Sequence, residues 1–449
     1  MRRLRHLLAI AGVAILVAAG CAAPPVALGP PQLTPPMGWN SWNSGMPLTE
    51  ENVKATIDAM VASGMRDAGY RYVNLDAGWA APTRDADGNL RADPDTFPDG
   101  IASLAGYAHE RGLSLGLYAS PFNEICGQDP RIASAGHETA DARMFAAWGV
   151  DYLKYDWCRF DADHDEQVKY FTAMRDAVRH SGRRIIYSIN PNSSAVPSAG
   201  SRYGWTDIAD MTRNSIDLIP AWGDDTLWAQ GLAGVSLEFA AAIPVAPHSR
   251  SGYWNDPDML VVGISWATFA AGHPSMLVSL ASPGTVSAGD LAVQPVPAQV
   301  VARVADQRPD LTESEKRTHF SLWAMLAAPL LAGNDLRTMT DQARAILTNR
   351  EVIAVDQDPL VLQGIPLRSD RRVIVKPLAD GSVAVALYNS MEPPVAIRTT
   401  ARAVGLPATP CYTVRDLWAH TETTTTTGNF GQDSVPIHGV AMLRVTPSC

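Results

Sequence analysis

The sequence predicts a (β/α)8 TIM barrel followed by a C-terminal all-β sandwich, and three observations carry that expectation. Between residue 37 and about residue 357, short apolar runs alternate with amphipathic helical patterns about eight times, the order that builds a parallel sheet. The span is longer than the roughly 250 residues such a barrel needs, and a single stretch, 266–309, accounts for the excess: it is rich in Ser, Pro, Gly and Ala, without a regular period, and reads as an insertion in a βα loop. From residue 358 to 449 the texture changes to alternating strand-like runs with no helical pattern, as expected of a small sandwich domain.

The strand-like runs of the first region are Tyr72-Val73-Asn74-Leu75, 113–118, 150–155 and 185–189, with shorter ones at 211–214, 253–254 and 329–332. Helical patterns separate them. Residues 49–69 carry Val53, Ile57, Met60, Val61 and Met65 on one stripe, with Thr49 placed to cap the start. Residues 99–112, 139–148, 165–181 and 224–242 repeat the idea, and Thr312-Glu313-Ser314-Glu315 is a capping box ahead of a last apolar stripe. In the second region 372–376, 382–388 and 441–445 read as strands, and the Thr run 423–427 reads as a loop or edge.

Ahead of the barrel, Arg2, Arg3 and Arg5 precede the apolar run 7–19, too short for a stable span and shaped like an export signal over residues 1–20. Ala18-Ala19-Gly20-Cys21 resembles a bacterial lipobox, so either Cys21 is lipidated or a plain signal peptide is cut nearby. Residues 21–36 form a Pro/Ala-rich tether. The expectation is export, to the bacterial cell envelope on a lipid anchor or into the medium. Removing Cys21 leaves four cysteines. Cys126 with Cys158 and Cys411 with Cys449 are the natural pairs if each domain closes its own bridge, which an oxidising compartment permits.

The 449 residues carry a formal charge of −10, which argues against nucleic acid, and the 46 % hydrophobic and 18 % charged content suits an ordinary globular core. The twelve Trp suit sugar faces and cores equally. No H-x-H or H-x-x-x-H pair and no phosphate loop occurs. What the chain does offer is carboxylates just beyond the apolar runs: Asp76, Asp156, Asp217, and Asp256 with Asp258. A lone Asp there is usually a cap or turn residue. Several on the C-terminal rim of a barrel, where such folds do their chemistry, suggest a site. Glycoside cleavage needs two facing carboxyl groups and no metal or other cofactor; the rival use of such a rim is a divalent cation site.

Seven segments in order sharpen this: Pro36-Met37-Gly38-Trp39-Asn40-Ser41-Trp42, Phe97-Pro98-Asp99-Gly100, Leu115-Gly116-Leu117-Tyr118, Leu153-Lys154-Tyr155-Asp156-Trp157-Cys158, Arg213 with Asp217, Trp254-Asn255-Asp256-Pro257-Asp258-Met259, and Ala327-Ala328-Pro329-Leu330. Together they resemble the retaining α-galactosidases and α-N-acetylgalactosaminidases of glycoside hydrolase family 27. The resemblance implies a carbohydrate substrate, Asp156 as nucleophile and Asp217 as general acid/base. It makes Trp42 an apolar wall, Asp76, Tyr118, Lys154, Arg213 and Asp258 sugar-binding residues, and Cys126–Cys158 a bridge beside the nucleophile. On a strand, Lys154 and Asp156 point the same way, so the ammonium is expected to keep Asp156 ionised.

Three departures bear on the sugar. Ala77 stands where many members carry a second Asp for the 4- and 6-hydroxyls. Asn190 stands where α-galactosidases often carry a Glu for the 2-substituent. The insertion 266–309 should overhang the mouth, either shaping the leaving-group subsite or serving as a surface or oligomer contact. An α-galactosidase is the leading expectation. The alternatives are a β-L-arabinopyranosidase or an isomaltosyl-releasing hydrolase of the same family, or a catalytically silent sugar-binding lipoprotein.

Overall fold

The computed structural model describes residues 32–126, 133–193, 195–223, 231–273 and 308–448. Eight strands form one parallel sheet: β1 Met37–Asn40, β2 Tyr72–Asn74, β3 Ser114–Ala119, β4 Tyr152–Asp156, β5 Ile186–Asn190, β6 Met211–Arg213, β7 Trp254–Asp256 and β8 Leu330–Ala332, in the order β8-β1-β2-β3-β4-β5-β6-β7. Just past β7, Leu260 bridges Ala332 of β8 in parallel, with Leu260 N–H donating to Leu331 O at 2.7 Å and Gly333 N–H to Leu260 O at 2.9 Å. The ring of strands therefore closes into a barrel. β1 and β5 are buried at every position, and for β5 this is why the strand shows no polar–apolar alternation. β1 has no continuous apolar run. Its Gly38 lies against β2 so closely that a Cβ there would stand 2.3 Å from the Tyr72 carbonyl oxygen.

The helices follow the expected caps. Thr49 accepts from Asn52 N–H ahead of Glu50–Ala62, and Asp163 from Glu166 N–H ahead of His164–Arg179. The Thr312–Glu315 capping box is complete ahead of Glu313–Leu326. Gly64, at φ 81°, ends the first helix and starts the short Met65–Ala68.

Two expectations need correction. The helix foreseen over 224–242 begins only at Val235 and runs to Ala242, while 224–230 lie outside the described residues. Before it, Leu232–Ala233 pairs in parallel with Asp217–Leu218, because the chain that carries Asp217 off β6 needs an extended hydrogen-bonding partner. The stretch 266–309 is not irregular from its start: Trp266–Gly272 is a helix with Ser265 accepting from Thr268 N–H at its cap. Residues 274–307 lie outside the described set, as do 1–31 and Cys449.

The second region is a sandwich. One sheet runs Ile365–Pro366, Val373–Pro377, Val383–Tyr388, Val440–Pro447, Tyr412–Asp416, Thr421–Thr425, and the other pairs Val395–Thr400 with Asn429–Val435. The Thr run is thus an exposed edge strand. Along Val383–Tyr388 the two faces divide cleanly: Val383, Val385 and Leu387 enter the sandwich core, whereas Ala384, Ala386 and Tyr388 join the barrel's core. The six-stranded sheet is therefore cemented to the barrel through the helix Glu313–Leu326, and the Lys376 ammonium, fully buried, donates to Ala324 O of that helix at 2.9 Å.

Candidate active site

Every carboxylate singled out in the sequence reaches the same end of the barrel, the C-terminal ends of the strands. The register explains the grouping. Lys154 of β4 lies opposite Tyr118 of β3 and Ser188 of β5; Asp156 lies opposite Asn190, and Arg213 of β6 opposite Asp256 of β7. Neighbouring parallel strands place residues of equal height side by side, so their side chains fill one layer.

Two cations organise the layer. The Lys154 ammonium bonds Asp76 Oδ2 at 2.9 Å and stands 3.8 Å from Asp156 Oδ2. Asp76 is held further by Asn40 Nδ2 at 3.3 Å, and its Oδ1 accepts from Ala77 N–H at 2.9 Å. The Arg213 guanidinium uses one nitrogen, Nη2, for Asp217 Oδ1 and Asp258 Oδ2, each at 3.2 Å, and for the Ser215 and Ile216 carbonyl oxygens. Asp258, strained at φ 73°, accepts from Leu218 N–H at 2.8 Å and Met259 N–H at 2.7 Å. Asp156 and Asp217 thus share the rim, each tied to its own cation. Their exposures differ: the Asp156 side chain is 11 % exposed and Asp217 41 %.

Burial dominates the electrostatics. It pushes the Asp156 carboxyl up from its usual range; Lys154 pulls it back, Asp217 pushes it up again, and Arg213 and Asp76 act in opposite senses. Lys154 therefore works in the expected sense, but desolvation outweighs it. Burial likewise raises Asp258, against Arg213, and lifts Asp256 to about 7. Lys154 itself is pulled down by burial yet held above its ordinary value by Asp76 and Asp156.

Trp42 follows β1 at the same end of the barrel, with its backbone N–H fixed by Asn40 Oδ1 at 2.8 Å. Its ring lies 5.0 Å from that of His273, which follows the helix Trp266–Gly272 and stacks on Phe269 at 4.5 Å. The start of the long segment after β7 therefore does reach the mouth. Tyr118 is buried with its hydroxyl 3.3 Å from Cys158 Sγ, and Cys158 is bridged to Cys126. Asn190 turns its Oδ1 inward to accept from Asn192 N–H and Nδ2. Ala77 presents only a methyl group beside Asp76. Cys126, Asp156 and Cys158 come close enough to hold an ion, but both sulfurs are spent in the bridge, leaving a single carboxylate.

Asn40 and His273 were not legible as residues of this rim. Asn40 lies within the 36–42 segment but offers only an uncharged amide there, and His273 carries no motif beyond its own residue type. Glu238 sits in an amphipathic pattern whose burial only the packing reveals.

A domain model described as alpha galactosidase A matches residues 34–295 and 304–358, and one described as the alpha galactosidase C-terminal beta sandwich domain matches 368–445. The chain belongs to glycoside hydrolase family 27. As a family-27 protein it is an O-glycosyl hydrolase. It is 33 % identical to alpha-galactosidase A of Cellvibrio japonicus over 432 residues, covering 92 % of each chain. It is 34 % identical to alpha-galactosidase 3 of Arabidopsis thaliana over 420 residues, covering 92 % of this chain and 82 % of that one. The crystal structure of alpha-galactosidase I from Mortierella vinacea superposes with a TM-score of 0.75 at 28 % identity, over 93 % of this chain and 98 % of that one.

Proposed function

We propose that this family-27 hydrolase is a retaining α-galactosidase working by double displacement. The observation that carries the reading is the pairing of Asp156 with Lys154 and of Asp217 with Arg213 on one rim, the first carboxyl sheltered and the second open to water. In the first step an Asp156 oxygen bonds to the anomeric carbon as Asp217 gives its proton to the departing glycosidic oxygen. In the second, water attacks that carbon, Asp217 takes its proton, and Asp156 leaves as carboxylate. Lys154 and Asp76 face the hydroxyls of the bound sugar, Asp258 and Arg213 do so from the other side, Tyr118 lies beneath, and Trp42 walls the apolar face.

One feature favours a second reading. With Ala77 in place of a carboxylate, the pocket has less hold on a 6-hydroxyl, and β-L-arabinopyranosides, which lack that carbon, become candidate substrates. A side-by-side assay of p-nitrophenyl α-D-galactoside and β-L-arabinopyranoside decides between them. Asp156→Ala should abolish turnover of whichever is preferred, with the fold unchanged; wild-type turnover in that variant sinks the mechanism, and a binding-only protein would turn over neither substrate.

Export is part of the same proposal. The Cys126–Cys158 bridge supports it, since such bonds persist in oxidising compartments. Among the described residues no helix is long and apolar enough to cross a membrane. Mass spectrometry of the mature N-terminus would show whether Cys21 carries lipid.

A further inference from the structure

Behind Arg213 lies a carboxyl that the mechanism above does not use. Glu238, on the helix Val235–Ala242, is completely buried. Neither of its oxygens has a hydrogen-bond partner among the protein atoms, and the same holds for Arg213 Nε, the Ser215 hydroxyl and both ends of the Asn214 amide. The charged groups that act on Glu238 are Arg213, Asp258 and Asp217, with Ser215 beside it; Arg213 in turn feels Asp258, Asp217, Asp256 and Glu238. Every contact Arg213 makes within hydrogen-bonding distance uses Nη2. Its Nε donates to no protein atom among the described residues.

Burial disfavours the charged form of this carboxyl and pushes its pKa well above the ordinary range, against the opposing pull of Arg213 and Ser215. A protonated carboxyl can still accept from a guanidinium and donate to a hydroxyl. It also leaves the whole charge of Arg213 to Asp217 and Asp258.

We propose that Glu238 is a positioning residue for the acid/base step: a neutral carboxyl that orients Arg213, and through it Asp217. The inference rests on the assignment of Asp217 as acid/base. Its test therefore uses leaving groups. Phenyl glycosides need protonation to depart, whereas 2,4-dinitrophenyl glycosides do not, so loss of acid catalysis lowers kcat/KM for the first far more than for the second.

With aryl glycosides of the sugar the enzyme turns over, Glu238→Leu should lower kcat/KM about 30-fold or more for the phenyl substrate and less than about threefold for the dinitrophenyl one. Glu238→Gln, which keeps a neutral group of the same shape, should stay within about twofold on both and leave the pH profile unmoved. Equal losses on both substrates in the Leu variant, or no loss on either, overturn the proposal. So does a shifted pH profile in the Gln variant, which decides the matter alone if the Leu variant does not fold. Asp217→Asn is the control. If it shows no leaving-group dependence, the acid/base assignment itself fails; if it does and Glu238→Leu does not, only the present inference falls.

Discussion

Lys154 is bound to Asp76 more closely than to Asp156, at 2.9 Å against 3.8 Å. The ammonium is thus a shared counter-ion. It balances the Asp76 and Asp156 carboxyls together, and burial strengthens both attractions relative to water.

Replacing Lys154 with Met should leave two buried carboxyls facing each other. Removing the cation takes away a downward influence on Asp156, so its carboxyl would take up a proton at higher pH. The acidic limb of the kcat/KM profile should move upward, and kcat/KM at neutral pH should fall about 100-fold or more, since leaving a buried charge unpaired costs about 3–5 kcal/mol. A profile of unchanged shape would show that Lys154 does not govern Asp156.

Ala77→Asp should restore a second acceptor beside Asp76. A charge-assisted hydrogen bond contributes roughly 1.5–3 kcal/mol, so the ratio of galactoside to arabinopyranoside kcat/KM should rise about tenfold or more. Steady-state assays on the two p-nitrophenyl glycosides read it directly.

Asp256 titrates near 7 in the folded chain because burial disfavours its charge. An unfolded Asp has lost its proton well below that. Between about pH 4 and 7 the folded state therefore holds the extra proton, and this group's contribution to stability is present at low pH and lost as pH rises through 7. Asp256→Asn keeps an acceptor for Asp258 N–H and removes the titration. The difference in stability between variant and wild type should shift in the variant's favour by up to about 4 kcal/mol from pH 4 to pH 7, measurable by denaturant unfolding at each pH.

Cys126 and Cys158 are 32 residues apart in sequence. Opening a loop of that size by Cys126→Ser should cost about 3–4 kcal/mol of stability on the chain-entropy account. Because Cys158 stands two residues after Asp156 and lies against the Tyr118 hydroxyl, kcat/KM should fall as well, and thermal melting with and without reductant separates the two effects.

The barrel was legible because its strands are buried on both sides and its helices on one, so the period of hydrophobicity changes with each element. Elements whose role depends on a partner were not. β1 is recognisable as a strand only once β2 and β8 flank it. Leu232 and Ala233 fall within a helical pattern but are drawn into extended pairing with Asp217 and Leu218. The Trp266–Gly272 helix is only 7 residues long, and its buried stripe of Trp266, Phe269 and Ala270 is too short to stand out from the Ser, Pro, Gly and Ala that follow.

By itself the sequence determined which residue types stand at the strand ends, since the alternation of elements and the ordered motifs place Asp76, Asp156, Asp217 and Asp258 on one rim. Only the tertiary structure decided how their charges are shared: that Lys154 serves Asp76 first, that one nitrogen of Arg213 holds both Asp217 and Asp258, and that Glu238 is fully buried within reach of their charges. The reason is physical. Position along the chain follows from local pattern, but the charge state of a carboxyl follows from its burial and from neighbours remote in sequence.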